Sequence, residues 1–151
     1  FIEKANETIK DGTTIFTDTK MAYMGINKPA LKKANCELKC YIDDERVFKL
    51  SKELNTTRSA CAVDLAVQDG IDVFVIGNAP TALFRLLELY KEGKVNPKFI
   101  VGVPVGFVGA AESKEYLRKF DIPQISTMGN KGGSNVAASI INALLYMVVG
   151  R

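Results

Sequence analysis

Five short apolar runs, each followed by a stretch of helical spacing, constrain this chain more than any other feature. The runs are TTIFT (13–17), ELKCYI (37–42), DVFVI (72–76), KFIVGV (98–103) and PQIST (123–127). Helical patterns cover 1–10, 44–54, 57–68, 81–92, 109–120 and 134–149. In 81–92, for example, Leu83, Leu86, Leu87 and Tyr90 recur at i, i+3, i+4 and i+7. Strands alternating with helices imply parallel strands joined by crossover helices. The expected fold is a single α/β domain spanning 1–151: an open, mainly parallel sheet of about five strands with helices on both faces. The third and fourth runs are almost wholly apolar, so they belong mid-sheet, covered on both sides.

Punctuation agrees with this reading. Gly12, Gly70 and Gly93 fall just past helix ends, and Asp43, Thr56, Asn78 and Ser134 are candidate N-caps. The last pattern, 134–149, is apolar almost all round, with Asn135, Ser139 and Asn142 on one stripe. Such a helix lies in the core or against a second subunit.

Composition narrows the function classes. Hydrophobic residues make up 47% of the chain and the net charge is only +3, with basic residues spread along it. No nucleic-acid stripe results, and no apolar run is long enough to span a bilayer. The charged opening FIEKANETIKDG does not read as a secretory leader, and a cytoplasmic location is expected. Cys36, Cys40 and Cys61 are an odd count without a C-x-x-C pair, and read as buried thiols in a reducing compartment. The chain has no histidine. The commonest acid–base residue is therefore missing, no metal-ligand cluster is offered, and no metal is expected.

In an open parallel sheet, ligands bind beyond the carboxyl ends of the strands. Segments 18–21, 43–44, 77–81, 104–109 and 128–134 should meet there, with the helix start at 56–59. GNAPTAL (77–83) is either a well-made helix start or a ring of backbone donors completed by Asn78 and Thr81. Arg58 opposes the positive end of its helix, and Lys131 stands just before another. Each is a solvated or salt-bridged cation, or one of a pair awaiting an anion such as a carboxylate or phosphate. Glu112 either suits the first turn of its helix or is drawn under the glycine loop as a brace. Neither G-x-G-x-x-G nor G-x-x-x-x-G-K-[ST] occurs.

The segments DTKMAYMGI (18–26), NTTRSACA (55–62), IGNAPTALF (76–84), VGVPVGFVGAAESK (101–114) and NKGGS (130–134), in this order, resemble the precorrin-8X and cobalt-precorrin-8 methylmutases. The resemblance implies a homodimeric isomerase of corrin-ring synthesis that needs no redox cofactor. Its ring substrate is protonated, and a methyl group then moves to the neighbouring carbon, giving hydrogenobyrinate or cobyrinate. The implied partner is a large flat macrocycle carrying acetate and propionate arms. The substrate-binding set expected for it is Asp18, Met21, Thr57, Arg58, Ser59, Asn78, Ala79, Thr81, Val105, Gly106, Phe107, Lys131, Gly132, Gly133 and Ser134, with Glu112 in support. The resemblance also implies a proton-donating histidine ahead of the helix that begins at Phe1. With no histidine in the sequence, the expectation is a methylmutase-like domain over 1–151 without the family's N-terminal segment, which keeps the binding floor but lacks the acid and is catalytically incompetent by itself. A non-catalytic tetrapyrrole carrier is the alternative, and an unrelated nucleotide-binding domain a weaker one.

Overall fold

The structure, a computed structural model, describes every residue from Phe1 to Arg151. In chain order the elements are α1 (Ile2–Lys10), β1 (Thr14–Thr17), α2 (Lys20–Gly25), α3 (Lys28–Lys33), β2 (Glu37–Lys39), α4 (Glu45–Leu54) and α5 (Arg58–Gln68). They continue with β3 (Val73–Ile76), α6 (Pro80–Lys91), β4 (Phe99–Gly102), α7 (Ala110–Leu117), β5 (Gln124–Ser126) and α8 (Ser134–Val149). The five strands form one sheet in the order β2-β1-β3-β4-β5, and all four pairings are parallel. The expected α/β architecture is present, and β3 and β4 lie inside the sheet with every residue buried.

Alternation along the strands builds two cores. Ile15, Val73, Val75, Phe99 and Val101 face α1, α2, α3 and α8. Phe16, Phe74, Ile76 and Ile100 face the layer formed by α4, α5, α6 and α7. Successive side chains of a strand point to opposite faces, so a strand apolar at every position must be covered twice.

Several local expectations need correction. The sequence reading placed no helices between β1 and β2, yet α2 and α3 stand there. Each has six residues, too few to display a helical period. Their signals are the caps: Thr19 Oγ1 accepts from Ala22 N (3.1 Å) and Asn27 Oδ1 from Ala30 N (3.0 Å). The N-caps of α4, α5 and α6 are Asp44, Thr57 and Ala79, one residue later than read, while Gly133 rather than Ser134 precedes α8. β2 ends at Lys39, three residues early. Cys36 and Cys61 are buried, but Cys40 is half-exposed.

The α8 helix is also less enclosed than its composition suggests. Ala137, Ile141, Leu144 and Leu145 face the core, while Asn135, Ser139, Ala143 and Met147 form an exposed stripe. Asn142 turns inward and ties the α2–α3 junction, accepting from Asn27 N (2.8 Å) and donating to the Gly25 carbonyl (3.0 Å). At Gly25 a Cβ would come within 2.9 Å of the Ala138 Cβ, which shows how closely α2 lies on α8.

Candidate functional site

The strand order reverses between β1 and β3, the switch point where doubly wound sheets open a crevice. Asp18 stands there, directly after β1. Its Oδ1 accepts from Gly77 N (2.8 Å), and its Oδ2 accepts from Asn78 N (2.9 Å) and Ala79 N (2.8 Å). These are the orphan amides ahead of α6. Asn78, read as the cap, is exposed instead, and Asp18 supplies the cap from another strand. Burial raises the Asp18 pKa above the ordinary carboxylate value, against the downward pull of the amides at Gly77, Ala79 and Asn78. The structure corrects the expectation that Asp18 belongs to the ligand-binding set. Only 2% exposed and with both oxygens engaged, it shapes the loop rather than meeting a ligand.

Thr57 and Thr81, predicted separately for the site, meet across the starts of α5 and α6 with their hydroxyls 3.1 Å apart. Arg58 is exposed and lies over the Phe48 ring, 4.8 Å from its centroid, with no carboxylate paired to it. Ser59 is half-buried beside it. Ala79 is buried and takes part through its amide. Met21 projects from the outer face of α2, 65% exposed.

The loops after β4 and β5 are zipped together. Gly106 N donates to the Asn130 carbonyl (3.1 Å) and Gly133 N to the Val103 carbonyl (2.9 Å). At Gly132, where φ is +155°, a Cβ would sit 2.1 Å from the Val103 carbonyl oxygen, so only glycine lets the two backbones come this close. Between the loops opens a cavity of about 630 Å³, walled by Val105, Phe107, Met128 and the 129–132 turn. Phe107 is 89% exposed, Val108 91% and Met128 74%, an unusual display of large apolar groups at one loop pair. The Lys131 ammonium is exposed there and forms no ion pair.

Ser134 joins this half of the edge to the other. Its Oγ lies 2.8 Å from Thr19 Oγ1, and a Cβ on Gly77 would fall 2.8 Å from its Cα. Gly109 closes against Pro80 in the same way, at 3.4 Å. The expected residues therefore fall into two clusters on one continuous edge: the Asp18–Thr57–Thr81 group, and Val105, Gly106 and Phe107 with Lys131, Gly132 and Gly133.

Glu112 is a further correction. It is exposed on α7 and makes no side-chain hydrogen bond, so it does not brace the loop. Lys114, two residues on, does. Its side chain is fully buried, and Nζ donates to the Lys131 carbonyl (2.6 Å) and Thr127 Oγ1 (3.2 Å). The register of α7 carried the signal: Ala110, Ser113, Lys114 and Leu117 share one face, and that face is buried. Burial pushes the Lys114 pKa below the usual lysine value, and nearby Arg118 pushes it further. Thr19 and Thr127 also join the hydrogen bonds of this edge and went unread in the sequence, since lone threonines carry no pattern.

The fold is a doubly wound α/β domain whose strand-end loops leave large apolar side chains and the unpaired cations Arg58 and Lys131 open to solvent. The chain belongs to the precorrin-8X methylmutase family, whose family model matches residues 1–147. It is 50% identical over 147 residues to the cobalt-precorrin-8 methylmutase of Salmonella typhimurium, covering 96% of this chain and 68% of that one. It is 42% identical to that of Priestia megaterium, covering 95% of this chain and 64% of the relative. The chain thus spans about two thirds of the length of these relatives. Among solved structures, the precorrin-8X methylmutase of Thermus thermophilus superposes with a TM-score of 0.87 at 31% identity, covering 97% of this chain and 72% of that one. A precorrin-8X methylmutase related protein superposes at 0.89, with 36% identity and 97% and 77% coverage.

Proposed function

We infer that this edge binds a corrin-ring precursor and serves an isomerase of cobalamin biosynthesis that moves a methyl group between neighbouring ring carbons. Family membership supports the reaction class, since the relatives are named as methylmutases. The observation that carries the ligand is the cavity between the zipped loops. It sets exposed Phe107, Val105 and Met128 beside the free ammonium of Lys131. A flat macrocycle covers the apolar walls, and its acetate and propionate arms meet Lys131 and Arg58. Asn78, Thr57 and Thr81 add neutral polar groups along the same edge. These residues bind the ring and orient it; the migrating methyl stays within the substrate.

Association of two copies belongs to the same reading. The exposed Met21 and Met24 of α2, and the open stripe of α8, offer surface for it. No helix is long and apolar enough to cross a membrane, and a cytoplasmic location is part of the proposal. Sedimentation of the purified chain tests the dimer, and a monomer at micromolar concentration removes it.

The ligand is tested by titrating the chain with cobyrinic acid and with metal-free hydrogenobyrinic acid, followed by visible absorbance. Saturable binding of either supports the reading. Tighter binding of ATP or NAD would reject it in favour of a nucleotide site.

A further inference from the structure

Lys114 carries its ammonium on a fully buried side chain close to the site, and takes no direct part in the binding floor. Its side chain is fully enclosed on α7, yet no carboxylate pairs with it. A methionine of similar length would fill the same space without desolvating a charge. The ammonium is spent on two neutral oxygens of one loop, the Lys131 carbonyl and Thr127 Oγ1. Thr127 Oγ1 in turn donates to the Lys131 carbonyl, so that one carbonyl is held by both groups. On either side of it the chain is pinned to the loop after β4, through Asn130 O to Gly106 N and through Gly133 N to Val103 O. Lys131 itself is the exposed cation of the cavity.

We propose that Lys114 is a positioning residue that holds the Lys131 main chain from inside the protein, so that the Lys131 ammonium is presented to an anionic arm of the ligand. Its own charge lies beneath that loop and adds to the positive field there. The fixed carbonyl lowers the cost of ordering Lys131 when the ligand binds. The ligand half of this proposal rests on the corrin reading above.

Two measurements test it. Amide hydrogen exchange is compared between the wild-type chain and Lys114→Met, reading 128–133 against the buried strands β3 and β4. The expected result is exchange roughly tenfold faster in the loop with the strands unchanged. Unchanged loop exchange overturns the clamp. Should Lys114→Met also loosen the strands, Thr127→Val replaces it and is judged by the same two outcomes. The second measurement is a double-mutant cycle for cobyrinic acid affinity with Lys131→Ala. Lys114→Met should weaken binding about tenfold in the wild-type background and less than about twofold when Lys131 is already removed. An equal loss in both backgrounds shows that Lys114 does not act through Lys131 and overturns the proposal. A wild-type chain that binds neither corrinoid refutes the corrin reading, and the exchange comparison then decides the clamp alone.

Discussion

Asp18 Oδ2 lies 2.8 Å from the Ala79 amide, joining the end of β1 to the start of α6 across the switch point of the sheet. The same oxygen takes the Asn78 amide, and Oδ1 takes that of Gly77. One carboxylate therefore sets the shape of the GNAP loop. Asp18→Asn keeps one acceptor and turns an NH₂ group toward a backbone donor. The expected loss is about 2–3 kcal/mol of unfolding free energy, measured by urea denaturation. Stability equal to wild type would mean that the amides do not depend on Asp18.

The two loop glycines should respond unequally to alanine. Gly132 has no room, since its Cβ would strike the Val103 carbonyl, whereas Gly106 faces open space and meets only the strain of φ +130°. Gly106→Ala is expected to cost about 1–2 kcal/mol. Gly132→Ala should cost more and should also abolish corrinoid binding, because the loop must move. Thermal unfolding of the two variants checks the order, and a reversed order contradicts the zipped geometry.

Lys131 is exposed and forms no ion pair, so Lys131→Ala should change stability by less than about 0.5 kcal/mol, while Arg58→Ala, which also removes the contact with the Phe48 ring, should cost no more than about 1 kcal/mol. Each should weaken cobyrinic acid binding roughly three- to tenfold at low salt and flatten its salt dependence. Affinities at two salt concentrations provide the measurement. Unaltered binding in both variants removes carboxylate pairing from the proposed function.

Tyr41 predicts an alkaline weakness. Its hydroxyl donates to Asp69 Oδ2 at 2.7 Å, and burial, followed by that bond, holds the phenol well above its ordinary value of 10.0. Below that value the group is protonated in both folded and unfolded chains, so its stabilisation is fully present. As the pH rises past it, the unfolded chain releases the proton while the folded chain keeps it, and stability falls. Tyr41→Phe should cost about 1 kcal/mol at neutral pH. It should also lose less stability than wild type between neutral pH and about pH 10.5, as read from urea unfolding. Parallel pH curves for the two proteins would show that Tyr41 does not contribute.

Native thiol labelling separates the cysteines. Burial raises the pKa of all three, but only Cys40 is half-exposed. Iodoacetamide at neutral pH should reach Cys40 alone in the folded chain and all three after denaturation. Mass spectrometry reports the count, and fast native labelling of Cys36 or Cys61 contradicts the packing.

The layered α/β fold was legible because its signals are local and periodic. Val73–Ile76 and Phe99–Gly102 are apolar at every position, which only a doubly covered strand tolerates, and Leu83, Leu86 and Leu87 recur at the helical period. The segments meeting at the strand-end edge followed from the rule that parallel strands end together. The strand order, and with it the switch point beside Asp18, came only from the tertiary structure, because pairing joins residues far apart in the chain. The same limit explains the exchanged roles around the glycine loop. Sequence position favoured Asn78 as a cap and Glu112 as a brace, since each lies beside the feature it was to serve. In the folded chain a carboxylate 59 residues away from Gly77 makes the cap, and Lys114 makes the brace from across the loop. Residue types and periods are written along one dimension. Which donor reaches which acceptor depends on distances that exist only after the helices have packed.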